Sequence, residues 1–450
     1  MEKMDLYTFS QGKLVSLENA GEDLLTNELI GSEFGGKSRK MSASTCQLIR
    51  KYGFEWDPLA IAGHLTFKPY AAFMVEAVKL RLWSQAQAFC LENDIPVQRI
   101  SGGDLYSLDS ELMKRHVQLA EEVGMYGDGL LKVSGNQILR FSGCSNKLSL
   151  LKQQDLDDAV FPFGIFELSN SYRFEKEGEL EYLSRNRKFH LPELHIVNEK
   201  LCDGLELLLK GHAFIDRSMK AHGLSYVMLL STTRKFVAEN NAFLEKLCDG
   251  CEHIPVINLT DADTCENGIV FDVEYKAAMR NGALLEIATL QIDEGNTGFA
   301  YGIQSKGKPL VTIHAVFFAS SVERTIYTYL DQAAEERDGG TLPSWLAPIQ
   351  CRLIPENDER LEDAEAVLEK LIGICRVELD DRAIPFSIKL RDSLDLRIPC
   401  VVQVGDELSR YDEEINGFSS LEMDQLLAKH ADESHVLGQF SPARLSRRIL

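Results

Sequence analysis

Long apolar runs are missing from this chain. No stretch approaches the roughly 20 residues that a membrane helix needs, and the opening MEKMDLYTFSQGK has no apolar core of a secretory leader. That excludes a helical membrane protein and predicts a cytoplasmic one. Basic charge is scarce as well: 48 Lys and Arg stand against 69 Asp and Glu, a net charge of −21. Such a balance excludes a broad cationic surface for nonspecific nucleic-acid capture, although a local basic track can sit on an acidic body. Ordered cysteine spacing is also missing. The ten cysteines are scattered, and Cys248-x-x-Cys251-x-His253 is the single CxxC. One such pair reads as reduced thiols at a helix-to-strand junction, not as a disulfide framework or a closed zinc site. Internal repeats and low-complexity tracts are absent.

What remains is an ordinary globular composition, 44% hydrophobic and 26% charged, on a chain of 450 residues, long enough for two or three domains. Helical spacing of apolar residues predicts helices over 71–93, 112–123, 199–222 and 322–334. Short alternating segments predict strands at 129–133, 138–141, 164–174, 187–197, 268–275, 284–293, 299–303 and 309–313. A hairpin is expected around Gln11 and Gly12, and a Gly-rich loop over 31–44. Mostly antiparallel strands with flanking helices make an α+β core. After a linker at 337–343 the pattern changes to strict strand–helix alternation, which predicts a small α/β domain with a mainly parallel sheet. The chain-order division is a lead-in at 1–60, a core at 61–340 and a last domain at 343–450.

The richest stretch runs from Phe166 to His195. It holds Arg173 and Glu175, a glycine turn at Lys176–Glu179, Arg185 and Arg187 in alternation, then Phe189, Glu193 and His195. Inward-facing charge on strands is poor core material, because an unpaired buried guanidinium is costly. Arginine's planar fork suits phosphate or carboxylate, and an aromatic face beside it suits a nucleobase. The pattern reads as nucleotide binding on an antiparallel sheet.

This segment resembles motif 2 of the class II aminoacyl-tRNA synthetases. Arg140 to Cys144 precedes it. Ala288 to Asp293, His314, and Ser321 to Arg324 follow it, with Pro343 to Gln350 beyond. In order and content these are similar to the archaeal-type threonyl-tRNA synthetases, over nearly the whole chain. The resemblance implies a class II antiparallel-sheet catalytic core followed by an anticodon-binding domain. It also implies ATP- and magnesium-dependent activation of threonine as an adenylate and ligation to tRNA(Thr), by a homodimer. Carried over, Arg173 contacts the α-phosphate and the substrate carboxylate, and Glu175 accepts from the adenine amino group. Arg185 reaches the terminal phosphate, Phe189 stacks on adenine, and Arg324 closes the other face of the nucleotide. Glu286 is a candidate magnesium ligand.

Cys144, His195 and His314 fall where the family places zinc ligands. Three protein ligands leave open positions, the arrangement of a zinc that binds substrate. One zinc per chain would take the amino and hydroxyl groups of threonine. Glu193 stands where the family has an aspartate near the amine, and Gln291 lies by the threonine side chain or the adenylate. Valine is excluded by this chemistry, but serine slips through, since a missing methyl is worth only about 1–3 kcal/mol. Residues 1–60 are too few for the family's N-terminal editing domain, so the expectation is no cis-editing and a separate trans-editing protein.

The chain departs from the family in several places. The glycine of motif 3 is lacking at Ala319–Arg324, the spacing from His314 to Glu323 is one residue longer, and no proline follows the first long helix at the motif 1 position. Two rival readings follow: a paralogue that activates another amino acid or serves another acceptor, and a noncatalytic tRNA-binding or regulatory protein.

Overall fold

The computed structural model describes residues 6–431 and 443–447, apart from 37–39, 123–129, 266–267, 296–297, 299, 318–319, 335–339 and 414. Compactness groups them differently from chain order. One unit comprises 1–41, 62–64 and 81–325, and the other 42–61, 65–80 and 326–450. Among the described residues no helix is long and apolar enough to cross a membrane.

The first unit is built on a ten-stranded sheet. Its strands are β1 (Leu6–Ser10), β2 (Lys13–Ser16), β3 (Val97–Ile100), β4 (Phe163–Tyr172), β5 (Lys188–Asn198), β6 (Tyr226–Thr233), β7 (Val256–Thr260), β8 (Phe271–Ala278), β9 (Leu284–Asp293) and β10 (Val311–Val316). They lie in the order β2-β1-β7-β6-β8-β9-β10-β5-β4-β3. Only β6–β7 and β3–β4 pair in parallel. The sheet is thus antiparallel-rich, as the α+β expectation requires. The hairpin at Gln11 and Gly12 forms, and it extends this sheet through β1 and β7.

Alternation along β9 and β10 divides the work of the sheet. Leu290 and Ile313 point to the helix Leu201–Ala221, close to Gly211 and Gly204. Gln291 and His314, one residue along, point to the opposite face. On the helix side Phe89, Phe214 and Phe317 pack as a cluster, with centroids 4.5–5.5 Å apart.

Several expectations need correction. The interior strands β6 and β7 were not predicted, because Tyr226–Thr233 is a nearly continuous buried run with little alternation to read. Residues 31–33 continue a helix, Leu24–Glu33, and are not loop. Of the strand expected at 129–133, the described part holds a single bridge at Lys132. Residues 300–303 turn instead of extending, with Gly302 at φ 80°. The short helix Cys144–Lys152 was also missed. The linker expected at 337–343 falls partly outside the described residues.

The second unit carries a five-stranded sheet of β11 (Cys351–Pro355), β12 (Val377–Leu379), β13 (Val401–Val404), β14 (Leu408–Asp412) and β15 (Gly417–Ser420), in the order β12-β11-β13-β14-β15. Its first three strands are parallel, but β14 and β15 add antiparallel pairs, so the sheet is mixed where a mainly parallel one was expected. A buried ion pair, Arg352 to Glu378 at 2.6 Å, sits inside this unit, and the Tyr70 hydroxyl donates to the same carboxylate at 2.7 Å.

Candidate functional site

The open face of the ten-stranded sheet bounds a cavity of about 520 Å³. Its floor is one row of residues directly opposed across four strands. Asp272 on β8 faces Gln291 on β9, Gln291 faces His314 on β10, and His314 faces His195 on β5. Opposed residues share a face, so strand register alone gathers groups far apart in sequence. The period of two along β5 then sets Phe189, Leu191 and Glu193 on the same side as His195.

Cys144 begins the helix that closes one end of this row. One donor atom from each of Cys144, His195 and His314 lies within 4.8 Å of the others. The two imidazoles are stacked with centroids 4.7 Å apart. The longer spacing between His314 and Glu323 therefore does not remove His314 from its neighbours. Gln291 Oε1 lies 2.8 Å from His314 Nδ1, which leaves Nε2 as the atom facing the cluster. That Nε2 and His195 Nδ1 are buried without a hydrogen-bond partner. Buried ring nitrogens without partners are costly, and a metal ion would satisfy them. Burial lowers the pKa of both histidines, with Lys147 adding to the effect, so the imidazoles are neutral as ligands must be. Burial pushes the Cys144 thiol up to about 12; ion binding would then displace its proton. The donor set fits zinc.

Beneath this cluster lies a buried charge network that joins Lys147 and Glu167, which the sequence did not single out, to Arg140 and the expected Glu193. Lys147 Nζ is 2.9 Å from Glu193 Oε2 and 3.7 Å from Glu167 Oε2, and Arg140 reaches Glu167 at 2.5 Å. All four side chains are 4% exposed or less. Burial alone would raise the Glu193 carboxyl, but the Lys147 ammonium, with Arg140 behind it, outweighs burial and holds it below the usual range. Glu193 Oε1 stands 3.7 Å from His314 Nε2. Gly143 makes room for this arrangement: a Cβ there would lie 1.8 Å from Glu193 Oε2.

The other wall is the turn between β4 and β5. Arg173 lies 5.1 Å over the Phe189 ring. Arg185 is paired with Glu175 at 2.7 Å and with Glu179 at 3.2 Å. Arg324 donates to the Ser184 carbonyl at 3.0 Å and pairs with Glu286 at 3.3 Å. Its neighbour Glu323 is a clamp: its carboxylate accepts from the His190 backbone at 2.9 Å and meets the His190 ring at 2.7 Å.

Arg187 is structural. It donates to the carbonyls of Glu175 and Ala62 and covers Phe174 at 4.6 Å. Gly63, at φ 87°, lets it pass, since a Cβ there would lie 2.7 Å from Arg187 Cγ. Asn186, between the two arginines, also lines the cavity; it is buried with neither amide atom bonded.

A third group is acidic. Asp272, Glu274 and Glu286 line the cavity with Lys276. Burial and the neighbouring carboxylates raise Asp272 well above its usual range, while Arg324 and Lys276 overcome burial at Glu286 and keep it ionised. Of the three, Glu286 is the one held ionised, as an oxygen ligand of a hard cation such as magnesium must be.

The predicted residues Cys144, Arg173, Glu175, Arg185, Phe189, Glu193, Gln291, His314 and Arg324 all line this one cavity, and His195 joins through the donor cluster. Asp272, Glu274 and Lys276 were missed, although the odd charges along the strand Phe271–Ala278 were a legible signal.

Comparison with known proteins gives a consistent picture. The chain is 32% identical over 444 residues to threonine–tRNA ligase of Pyrobaculum aerophilum, covering 94% of this chain and 70% of that one. It is 31% identical over 412 residues to that of Thermofilum pendens, covering 88% and 66%. The chain thus spans about two thirds of the length of the curated relatives it matches. No family model matches it. Among solved structures, the RNA-binding domain of threonyl-tRNA synthetase from Cryptosporidium parvum Iowa II superposes with a TM-score of 0.69 at 18% identity, over 87% of this chain and 99% of that one. Prolyl-tRNA synthetase of Cryptosporidium parvum, complexed with L-proline and AMP, gives 0.61 at 14%, over 86% and 76%. Two synthetases for different amino acids share the fold, so the fold alone does not choose the substrate.

Proposed function

Because the chain belongs to the threonine–tRNA ligase family, we propose that it activates threonine with ATP and transfers it from the adenylate to tRNA(Thr). The observation that carries this reading is the joining of two sites at one cavity. A cationic platform with an aromatic face (Arg173, Arg185, Arg324, Phe189) stands opposite a Cys–His–His donor set.

Arg173 and Arg324 orient ATP in line with the threonine carboxylate, and Arg173 stabilises the charge that develops at the α-phosphate. Phe189 stacks on adenine, and Glu175 accepts from its amino group. The Asn186 carboxamide supplies one donor and one acceptor to the base edge. Arg185 exchanges its acidic partners for the terminal phosphate. Glu286 and Glu274 would hold magnesium.

Cys144, His195 and His314 would hold zinc, which when bound supplies Lewis-acid contacts to the threonine amino and hydroxyl groups. Gln291, itself hydrogen-bonded to Asp272, holds His314 at the correct tautomer, as outer partners of metal ligands do. In this reading the parts of the chain at 61–340 and 343–450 act as catalytic and anticodon-binding domains of a cytoplasmic homodimer.

The test is amino-acid-dependent ATP–pyrophosphate exchange over all twenty amino acids, with zinc measured in the same preparation. Exchange with threonine, weaker exchange with serine, almost none with valine and one zinc per chain is the expected result. Exchange with a different amino acid favours the paralogue. No exchange at all returns the noncatalytic reading.

A further inference from the structure

Lys147 has no place in the chemistry above, yet its side chain is entirely buried, 2.9 Å from Glu193 and 3.7 Å from Glu167. An ammonium removed from water needs strong compensation. Two carboxylates supply it, and Arg140 pairs with the second of them, so the buried charges balance. The arrangement matters because of where it holds Glu193. One carboxylate oxygen, Oε2, is bound by Lys147, while the other, Oε1, stands 3.7 Å from His314 Nε2.

Nitrogen and oxygen donors about 2.1 Å from a tetrahedral ion lie roughly 3.4 Å apart. Glu193 is therefore almost at ligand distance from one metal-facing nitrogen, but stands outside the three-donor cluster. Glutamate has the reach to close the remaining gap by a small rotation. A metal held by Cys144, His195, His314 and a carboxylate would be a closed four-coordinate site, with fewer positions left for a substrate.

We propose that Lys147 is a positioning residue that holds the Glu193 carboxylate off the metal and so keeps coordination positions open for the amine and hydroxyl of the amino acid. The inference rests on the metal-binding reading of Cys144, His195 and His314. Gly143 has a part in it, because the retracted carboxylate occupies the space that a side chain there would fill.

The test replaces zinc by cobalt(II) in the whole protein and follows its visible absorption, with and without threonine. In wild type, threonine shifts the spectrum. In Lys147→Met, the spectrum without threonine is already that of an anionic four-donor site, zinc dissociates more slowly than from wild type, and half-saturation by threonine rises about tenfold or more. Lys147→Arg keeps the cation and behaves as wild type. Lys147→Met combined with Glu193→Gln removes the competing carboxylate and restores the wild-type spectrum.

A merely structural Lys147 predicts the opposite sign, faster zinc loss, and no rescue by the double variant. A wild-type spectrum and threonine response in Lys147→Met, or an unrescued double variant, overturns the inference while leaving the metal site standing. A wild-type protein that takes up no metal overturns both. If Lys147→Met does not fold, Lys147→Gln keeps a donor in the network. It should show the same change to a smaller degree, and a wild-type spectrum from it likewise overturns the proposal.

Discussion

On the wall that carries Arg173, Arg185 and Arg324, charged groups borrow one another as partners and stay within reach of water. Arg185 is 49% exposed and leans on Glu175 and Glu179; Arg324 is 27% exposed and leans on Glu286. On the wall that carries the donor cluster, Lys147 and Glu193 are 0% and 4% exposed. The contrast follows from what each wall must do. Exposed ion pairs are worth about 1 kcal/mol or less, so a polyphosphate can displace them cheaply and replace them with stronger bonds. A buried network is costly to break, by about 3–5 kcal/mol when one partner is removed, and it therefore holds its geometry whether or not a ligand is present. One wall is made to exchange partners and the other to stay fixed.

Breaking each wall at its centre should give the largest effects, and different ones. Arg173→Ala should lower threonine-dependent pyrophosphate exchange by about a thousandfold, as expected for loss of transition-state charge stabilisation, with zinc content unchanged. Cys144→Ala should weaken zinc retention by more than about a hundredfold while leaving ATP protection of the nucleotide wall intact. Exchange assays with metal analysis on the same samples separate the two. If Arg173→Ala also lost its zinc, the walls would not be independent.

Next in size is Gly143→Ala. The new methyl would meet Glu193 Oε2 at 1.8 Å and Lys147 Nζ at 2.9 Å, so the buried Glu193–Lys147 pair must shift to admit it. A destabilisation of about 1–3 kcal/mol is expected, read by denaturant unfolding. No change in the unfolding midpoint would mean that the buried wall is softer than its geometry implies.

The two walls were unequally legible in the sequence. Arg173, Glu175, Arg185 and Phe189 lie within 17 residues, in the turn between β4 and β5 and at its edge, and their spacing reveals that they meet. Cys144, His195 and His314 are scattered. Spacing was silent about them, and only the resemblance to a family joined them. What brings them together is register: His314 opposes His195 and Gln291, and register is set by the long-range pairing of β5, β9 and β10. Lys147 was unreadable for a related reason. A lysine four residues into a short helix normally faces water, and only the packing of that helix over β4 and β5 buries it. Arg187 erred in the other direction. Its alternation with Arg185 resembled a ligand-facing pair, but its donors end on backbone carbonyls.

Asp293 offers a smaller test of fixed geometry. Burial raises its carboxyl to about 6, although it accepts from the backbone of Gly295 and Ala300 at 2.8 and 2.7 Å. Its folded pKa lies above the unfolded value of 3.8, so the folded state holds the extra proton between those values. Its contribution to stability is therefore present at low pH and is lost as pH rises through about 6, by about 1 kcal/mol between pH 5 and 8. Asp293→Asn removes this titration. The melting temperature of the variant relative to wild type should fall as pH is lowered from 8 to 5, whatever constant offset the amide introduces. A pH-independent difference would place the titration elsewhere.

The smallest effect should come from Arg185→Ala. The guanidinium is half exposed and its partners Glu175 and Glu179 remain in contact with water, so unfolding free energy should move by less than about 0.5 kcal/mol. ATP half-saturation should rise about threefold to fivefold, since a solvent-screened cation is worth no more than about 1 kcal/mol to a phosphate. Salt should mimic the variant: raising ionic strength should weaken ATP binding by wild type more than by Arg185→Ala, and should leave zinc content untouched because buried pairs are little screened. A large loss of stability in Arg185→Ala would mean that the exposed wall is as fixed as the buried one, and the distinction between a wall that exchanges partners and a wall that keeps them would fail.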